Sequence, residues 1–172
     1  MSEMKTWTNE KVSREGMSYP EGVWNDEPDK AHWVDEVSDL DCMINRGPLG
    51  ALCGYVGVPP GHPLYEKDYY DADVEVHGGL TYAAFCQEET LDPGRGVCHV
   101  PLPGREEKVW WLGFDCGHSH DLVPGMISAF QKIGIEDMPW PLNEGTYKTF
   151  DYVKAEVEHL ARQLAKMGSG TQ

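Results

Sequence analysis

Tyr147, Phe150, Val153, Val157, Leu160, Leu164 and Met167 recur at steps of three and four residues, so a helix drawn through them carries one continuous apolar stripe. Lys154, Glu158, Arg162 and Lys166 fall on the remaining surface. Thr146 or Thr149 stands where a helix start is capped, Glu158 lies one turn before Arg162, and Gly168 stands where the helix should stop. A stripe this long must be buried against a broad apolar surface, and the rest of the sequence offers one as strands.

Residues 40–45 and 51–58 read as a hairpin around Arg46-Gly47-Pro48-Leu49-Gly50, ended by Pro59, Pro60 and Pro63. Polar and apolar residues alternate over 73–77, Gly78-Gly79 supplies a turn, and 80–85 continues as a second hairpin arm. Residues 97–102 and the very apolar 109–115 complete the set. Strands at hairpin spacing predict an α+β fold: a mainly antiparallel sheet of about five or six strands with the long C-terminal amphipathic helix packed on it. A shorter helix is expected over 124–133, opened by Pro124 and closed by Gly134, with Met126, Ile127, Phe130 and Ile133 inward. Residues 1–30 are polar, without a sustained apolar period, and are expected to form an irregular acidic arm ahead of a single domain over 31–172.

The chain has 29 acidic and 14 basic side chains, a formal net charge of −15, which sets it against nucleic acid and anionic membrane. The acids cluster in two patches, 21–41 and 66–75, and serve either as a solvated face or as a surface for a basic partner. No stretch approaches the roughly 18 consecutive apolar residues of a membrane span, and the first twenty residues lack the apolar core of a secretion signal, so a cytoplasmic protein is expected. Five cysteines, an odd number with no C-x-x-C pair, read as reduced thiols, mostly small core residues.

Chemistry concentrates in Asp115-Cys116-Gly117-His118-Ser119-His120-Asp121, five potential ligands in seven residues directly after an apolar strand. Two imidazoles with flanking carboxylates and a thiol suit zinc, with His118, His120 and Asp121 as the metal set, or an acid/base pair near neutral pH. The bland alternative ties Asp115 and His118 to backbone, buries Cys116 and uses Asp121 as a helix cap. His77 ends another strand candidate, and Gly78 and Gly79 after it would admit a close backbone or ligand approach. If the two strands are neighbours, His77, Gly78, Gly79, Asp115 and His118 line one ligand pocket, with Trp111 as a stacking surface; otherwise His77 is a turn residue. His62 reads as loop structure, and Cys98-His99 as residues pointing to opposite sides of a strand. No phosphate-loop pattern occurs, and Cys116 has no recognisable base partner.

The stretches Cys53-Gly-Tyr-Val-Gly-Val-Pro, His62-Pro-Leu-Tyr65, Val74-Glu-Val-His-Gly-Gly-Leu-Thr-Tyr82 and Trp110-Trp-Leu-Gly-Phe-Asp-Cys-Gly-His118, with the helix beyond Tyr147, resemble an uncharacterised family of small tailed-phage and prophage proteins. The resemblance runs over residues 50–165 and brings no activity with it. It implies a setting, that of a phage accessory protein countering defence in a host bacterial cytoplasm. Two functions follow as expectations. One is a non-catalytic binder, with a homodimer through an apolar patch among its expected forms, that sequesters a host protein or a small nucleotide-like signal. The other is a small metal-dependent hydrolase built on the 115–121 loop.

Overall fold

The computed structural model describes residues 3–8, 19–87, 93–139 and 142–169. Six strands, β1 (Lys5–Trp7), β2 (Lys30–Val34), β3 (Asp41–Arg46), β4 (Leu52–Val58), β5 (Tyr82–Ala84) and β6 (Trp110–Asp115), form one sheet in the order β1-β2-β3-β4-β6-β5. Every neighbouring pair is antiparallel. Helix α1 covers Pro124–Lys132 and helix α2 covers Phe150–Ser169. The architecture is α+β, as the strand and helix patterns predict.

Alternation along the strands divides the sheet into two faces. Across the centre, Ile44 stands beside Gly54 and Gly54 beside Phe114, while Met43, Tyr55 and Gly113 point the other way. The first face, with Ala31, Trp33, Ile44, Val56, Leu112 and Phe114, is covered by Val153, Val157, Leu160, Ala161 and Leu164 of α2, all buried. Each of these valine and leucine side chains, fully removed from water, contributes about 1.5–3 kcal/mol. Gly54 sets the distance between helix and sheet, because a Cβ there would come within 2.5 Å of Val157 Cγ2 and 2.6 Å of the Phe114 ring.

The second face carries Met43, Tyr55 and Trp111 and is covered by a segment without strand pairing, through Val97 and Val109. The strand expected over 97–102 is absent, and the chain there is held instead by side chains of the sheet beneath it. Reduced thiols were the expectation for all five cysteines; the structure joins Cys86 to Cys98 and leaves Cys42, Cys53 and Cys116 free. The two bonded cysteines meet because Gln87 N–H donates to Val97 O at 3.1 Å, which folds the chain back on itself just beyond β5.

Residues 73–76 join no strand and His77 opens a turn. Their backbone partners are α2 side chains: Gln163 Nε2 donates to Glu75 O (2.7 Å), Glu75 N–H to Gln163 Oε1 (2.8 Å), and His77 N–H to Glu156 Oε2 (3.0 Å). Val74 and Val76 still pack on the core. The alternation therefore reports half-burial correctly, while the partner of the backbone is a helix rather than a strand.

Irregular structure is the expectation for the first thirty residues; residues 1–2 and 9–18 lie outside the described residues, and in the rest the structure differs in part. Lys5–Trp7 form the edge strand β1, and Trp24 is buried with its ring 5.0 Å from Tyr147. Glu27 reaches α2: Phe150 N–H donates to Glu27 Oε2 at 2.6 Å, which satisfies one of the free donors at the helix start and places an anion at the positive end of its dipole. Thr149 Oγ1 accepts from Tyr152 N–H at 3.3 Å and shares that role.

Candidate functional site

β6 ends at Asp115, and the loop that follows is closed by its own polar groups. Asp115 Oδ1 accepts from Gly117 N–H (2.9 Å), and Thr81 Oγ1 donates to Asp115 Oδ2 (3.1 Å). Cys116 N–H donates to Leu52 O and Thr146 N–H to His120 O, so the loop is knitted to β4 on one side and to the approach to α2 on the other. Asp121 is the hub. Its side chain is 0 % exposed and accepts from His77 Nε2 (2.9 Å), Lys148 Nζ (3.1 Å) and His118 N–H (3.1 Å).

The Nε2 hydrogen of His77 follows from these contacts. An ionised carboxylate only accepts, so Nε2 carries a hydrogen toward Asp121, and Nδ1 lies 2.9 Å from Tyr152 OH. Burial pushes the Asp121 carboxyl up, but the hydrogen bonds from His77, His118 N–H and Lys148 outweigh it and hold the group below its ordinary 3.8. Burial and Glu156 push the Tyr152 phenol up. Burial, with Asp121 adding to it, raises Cys116 far above the range of a working thiolate, and Cys53 is pushed up to about 11 by burial and by Asp115.

The structure brings His77, Gly78, Asp115, His118 and Asp121 together, although His77 arrives on a turn and not on a strand end. The His77 and His118 rings lie 6.1 Å apart, and His118 Nε2 lies 3.5 Å from Asp115 Oδ1. Gly78 has φ +68°, and a Cβ built on it would overlap the His118 imidazole, so the two loops approach this closely only over a glycine. Gly79 completes the turn, its N–H donating to Val76 O at 2.9 Å. Trp111 does not belong to this group: it is fully buried on the second face of the sheet, with its ring 5.2 Å from His99.

The expected zinc set is not assembled. His120 is exposed, His118 turns its Nε2 toward Asp115 and Gly78, and the Asp121 oxygens are occupied by His77 and Lys148. Among the described residues no three His, Cys, Asp or Glu side chains converge as a metal site. The residues present do not fit a zinc ion, because they do not converge: the His120 side chain is exposed and the Asp121 oxygens are taken up by His77 and Lys148.

Beside this cluster lies a cavity of about 330 Å³. Leu49 and Ala51 of the β3–β4 turn form one wall, Val123 and Met126 the second and Met138 a third, while Asp115 and His118 stand on the polar side. The α1 start is pinned to that turn, Gly125 N–H donating to Leu49 O at 2.6 Å. Sequence reasoning placed Met126 on the inner face of its helix, but Leu49, Ala51 and Met138 gave no signal, since a cavity wall assembled from three separate loops has no period. Tyr152 and Lys148 were equally silent, being ordinary polar residues at a helix start. No helix among the described residues is long and apolar enough to cross a membrane.

Comparison of the chain with protein-family models, with characterised proteins and with solved structures finds no match in any of the three.

Proposed function

We propose that this protein is a non-catalytic binder whose cavity beside the 115–121 loop takes an apolar group of a protein partner. The observation that carries this reading is the contrast between the cavity and the cluster next to it. The cavity is walled largely by apolar side chains, and Asp115, His118, Ser119 and Asp121 line its polar side, as binding pockets combine the two. Most of the polar groups that would do chemistry there are engaged: His77 has both nitrogens in contact, Asp121 accepts from three donors and the thiols are held protonated, while His118 Nε2 is buried without a hydrogen-bond partner. A protein partner is favoured over a nucleotide-like signal. Asp115 stands on the polar side of the cavity and the chain carries −15, so a phosphate would be repelled while a basic protein surface would be attracted. The resemblance to phage accessory proteins supplies the setting we propose, a host bacterial cytoplasm in which the captured protein belongs to defence.

The test is a pocket-filling substitution. Ala51→Phe extends a ring into the cavity from the β3–β4 turn, and its unfolding temperature is measured first to show that the fold is kept. Immobilised wild-type protein is expected to retain a host protein from bacterial lysate, and the purified pair should bind at least tenfold more weakly with Ala51→Phe, the loss of a single apolar anchor. Equal affinity of the folded variant would remove the cavity from the binding surface.

A further inference from the structure

Lys30 is 1 % exposed, at the start of β2 on the second face of the sheet. A buried ammonium costs several kcal/mol unless its donors are met. Here Nζ donates to Cys98 O at 2.7 Å, to Gly96 O at 2.9 Å and to Arg95 O at 3.3 Å, and the Trp7 ring of β1 lies over it at 5.6 Å. All three carbonyls belong to the segment that the Cys86–Cys98 bond closes. The same segment is fixed at two further points: Asn45 Nδ2 donates to Gly96 O at 2.7 Å, and Val97, 4 % exposed, packs with Met43, Tyr55 and Trp111. The disulfide thus holds in place the group of carbonyls that solvates a buried charge and the side chain that seals the sheet.

We propose that Cys86 and Cys98 form a reversible thiol–disulfide site, reduced by a dithiol of the thioredoxin class, that controls whether residues 93–99 stay seated over Lys30, Tyr55 and Trp111. Both cysteines are half-buried and not sealed in the core. One reductant thiolate attacks a sulfur of the bond and forms a mixed disulfide. The second reductant thiol then displaces the remaining cysteine, so the reductant leaves as a disulfide and Cys86 and Cys98 each gain a proton. The two electrons come from the reductant alone. His99 Nδ1, 4.0 Å from Cys86 Sγ, is placed to accept a hydrogen bond from the freed thiol. Cys53, packed on the same cluster, does not compete as an internal nucleophile because burial keeps it protonated. In a thiol-rich compartment a bond of this kind responds to redox poise instead of persisting.

Hydrogen exchange read by mass spectrometry on the full chain, oxidised and after treatment with a thioredoxin-class dithiol, tests the proposal. Amides of 93–99 and of β2 are expected to exchange on the order of a hundredfold faster after reduction, the scale of the loop-closure constraint released. Amides of α2 should keep their protection. The Cys86→Ser/Cys98→Ser double variant should show the fast pattern under both conditions. The proposal is overturned by unchanged exchange on reduction, by loss of protection in α2 as well, which would make the bond a structural staple, or by a bond that the reductant leaves intact in the folded protein.

Discussion

Replacing Arg46 with methionine is expected to destabilise the protein by about 4 kcal/mol, because removing one partner of a buried ion pair leaves the others charged and dry. The guanidinium is 2 % exposed. Its Nε donates to Asp29 Oδ1 at 2.7 Å, Nη1 to Gly50 O and to Tyr147 OH, and Nη2 lies 3.5 Å from Glu27 Oε1. Glu27 in turn accepts from Tyr147 OH and from the first amide of α2. One side chain therefore joins the segment before β2, the β3–β4 turn and the start of α2. On a chain of this length the loss should lower the unfolding temperature by about 12 °C, measured by calorimetry. Arg46→Lys should recover only part of it, since an ammonium cannot reproduce the fork that serves Asp29 and Glu27 at once. A shift of less than about 2 °C in Arg46→Met, below 1 kcal/mol, would mean that residues 19–29 are not held to the domain through this group.

Asp121→Ala is expected to cost about 3 kcal/mol, the lower end of the range for breaking a buried pair, and about 9 °C in unfolding temperature. The lower end applies because the orphaned His77 and Lys148, 16 % and 15 % exposed, retain some access to water. The pH dependence carries a sign that identifies the carboxylate. Its folded value lies below the ordinary 3.8, so unfolding at low pH takes up a proton. The stabilisation from Asp121 is fully present above about pH 4 and is lost as pH falls through the folded value. Wild-type protein should thus lose its advantage over Asp121→Asn on acidification, the two denaturant midpoints converging below about pH 4. A gap that stays constant down to pH 3 would show that the charge on Asp121 contributes nothing.

Some of this architecture is legible in the residues alone and some is not, for physical reasons. The α2 stripe and the β3–β4 hairpin are readable because each buries one side against one partner, which is what a period reports. β2 is not readable: Lys-Ala-His-Trp-Val is buried on both faces, and its Lys30 and His32 disguise it as surface. Residues 73–77 show the right period for the wrong partner, since burial leaves a trace in the sequence and the identity of a hydrogen-bond acceptor does not. The approach of His77 to His118 was one of two readings the strand ends allowed, and the fold selects it through the pairing of β5 with β6. The Cys86–Cys98 bond has no signature at all in a chain with an odd number of cysteines, because the turn that brings them together is made by Gln87 and Val97 rather than by spacing. The 115–121 loop is legible as a concentration of polar side chains after an apolar strand, but His118, His120 and Asp121 cannot be read as a metal set or as a latch without knowing that His77 and Lys148 take up the Asp121 oxygens.

Native mass spectrometry of the full chain, purified from bacterial cells without chelator beside Ala51→Phe and His118→Ala, tests the binding account most directly. The account predicts a wild-type complex carrying a second polypeptide, the loss of that mass in Ala51→Phe, and no bound metal. One zinc per wild-type chain, lost in His118→Ala while the fold is kept, would contradict it and make the 115–121 loop a metal centre.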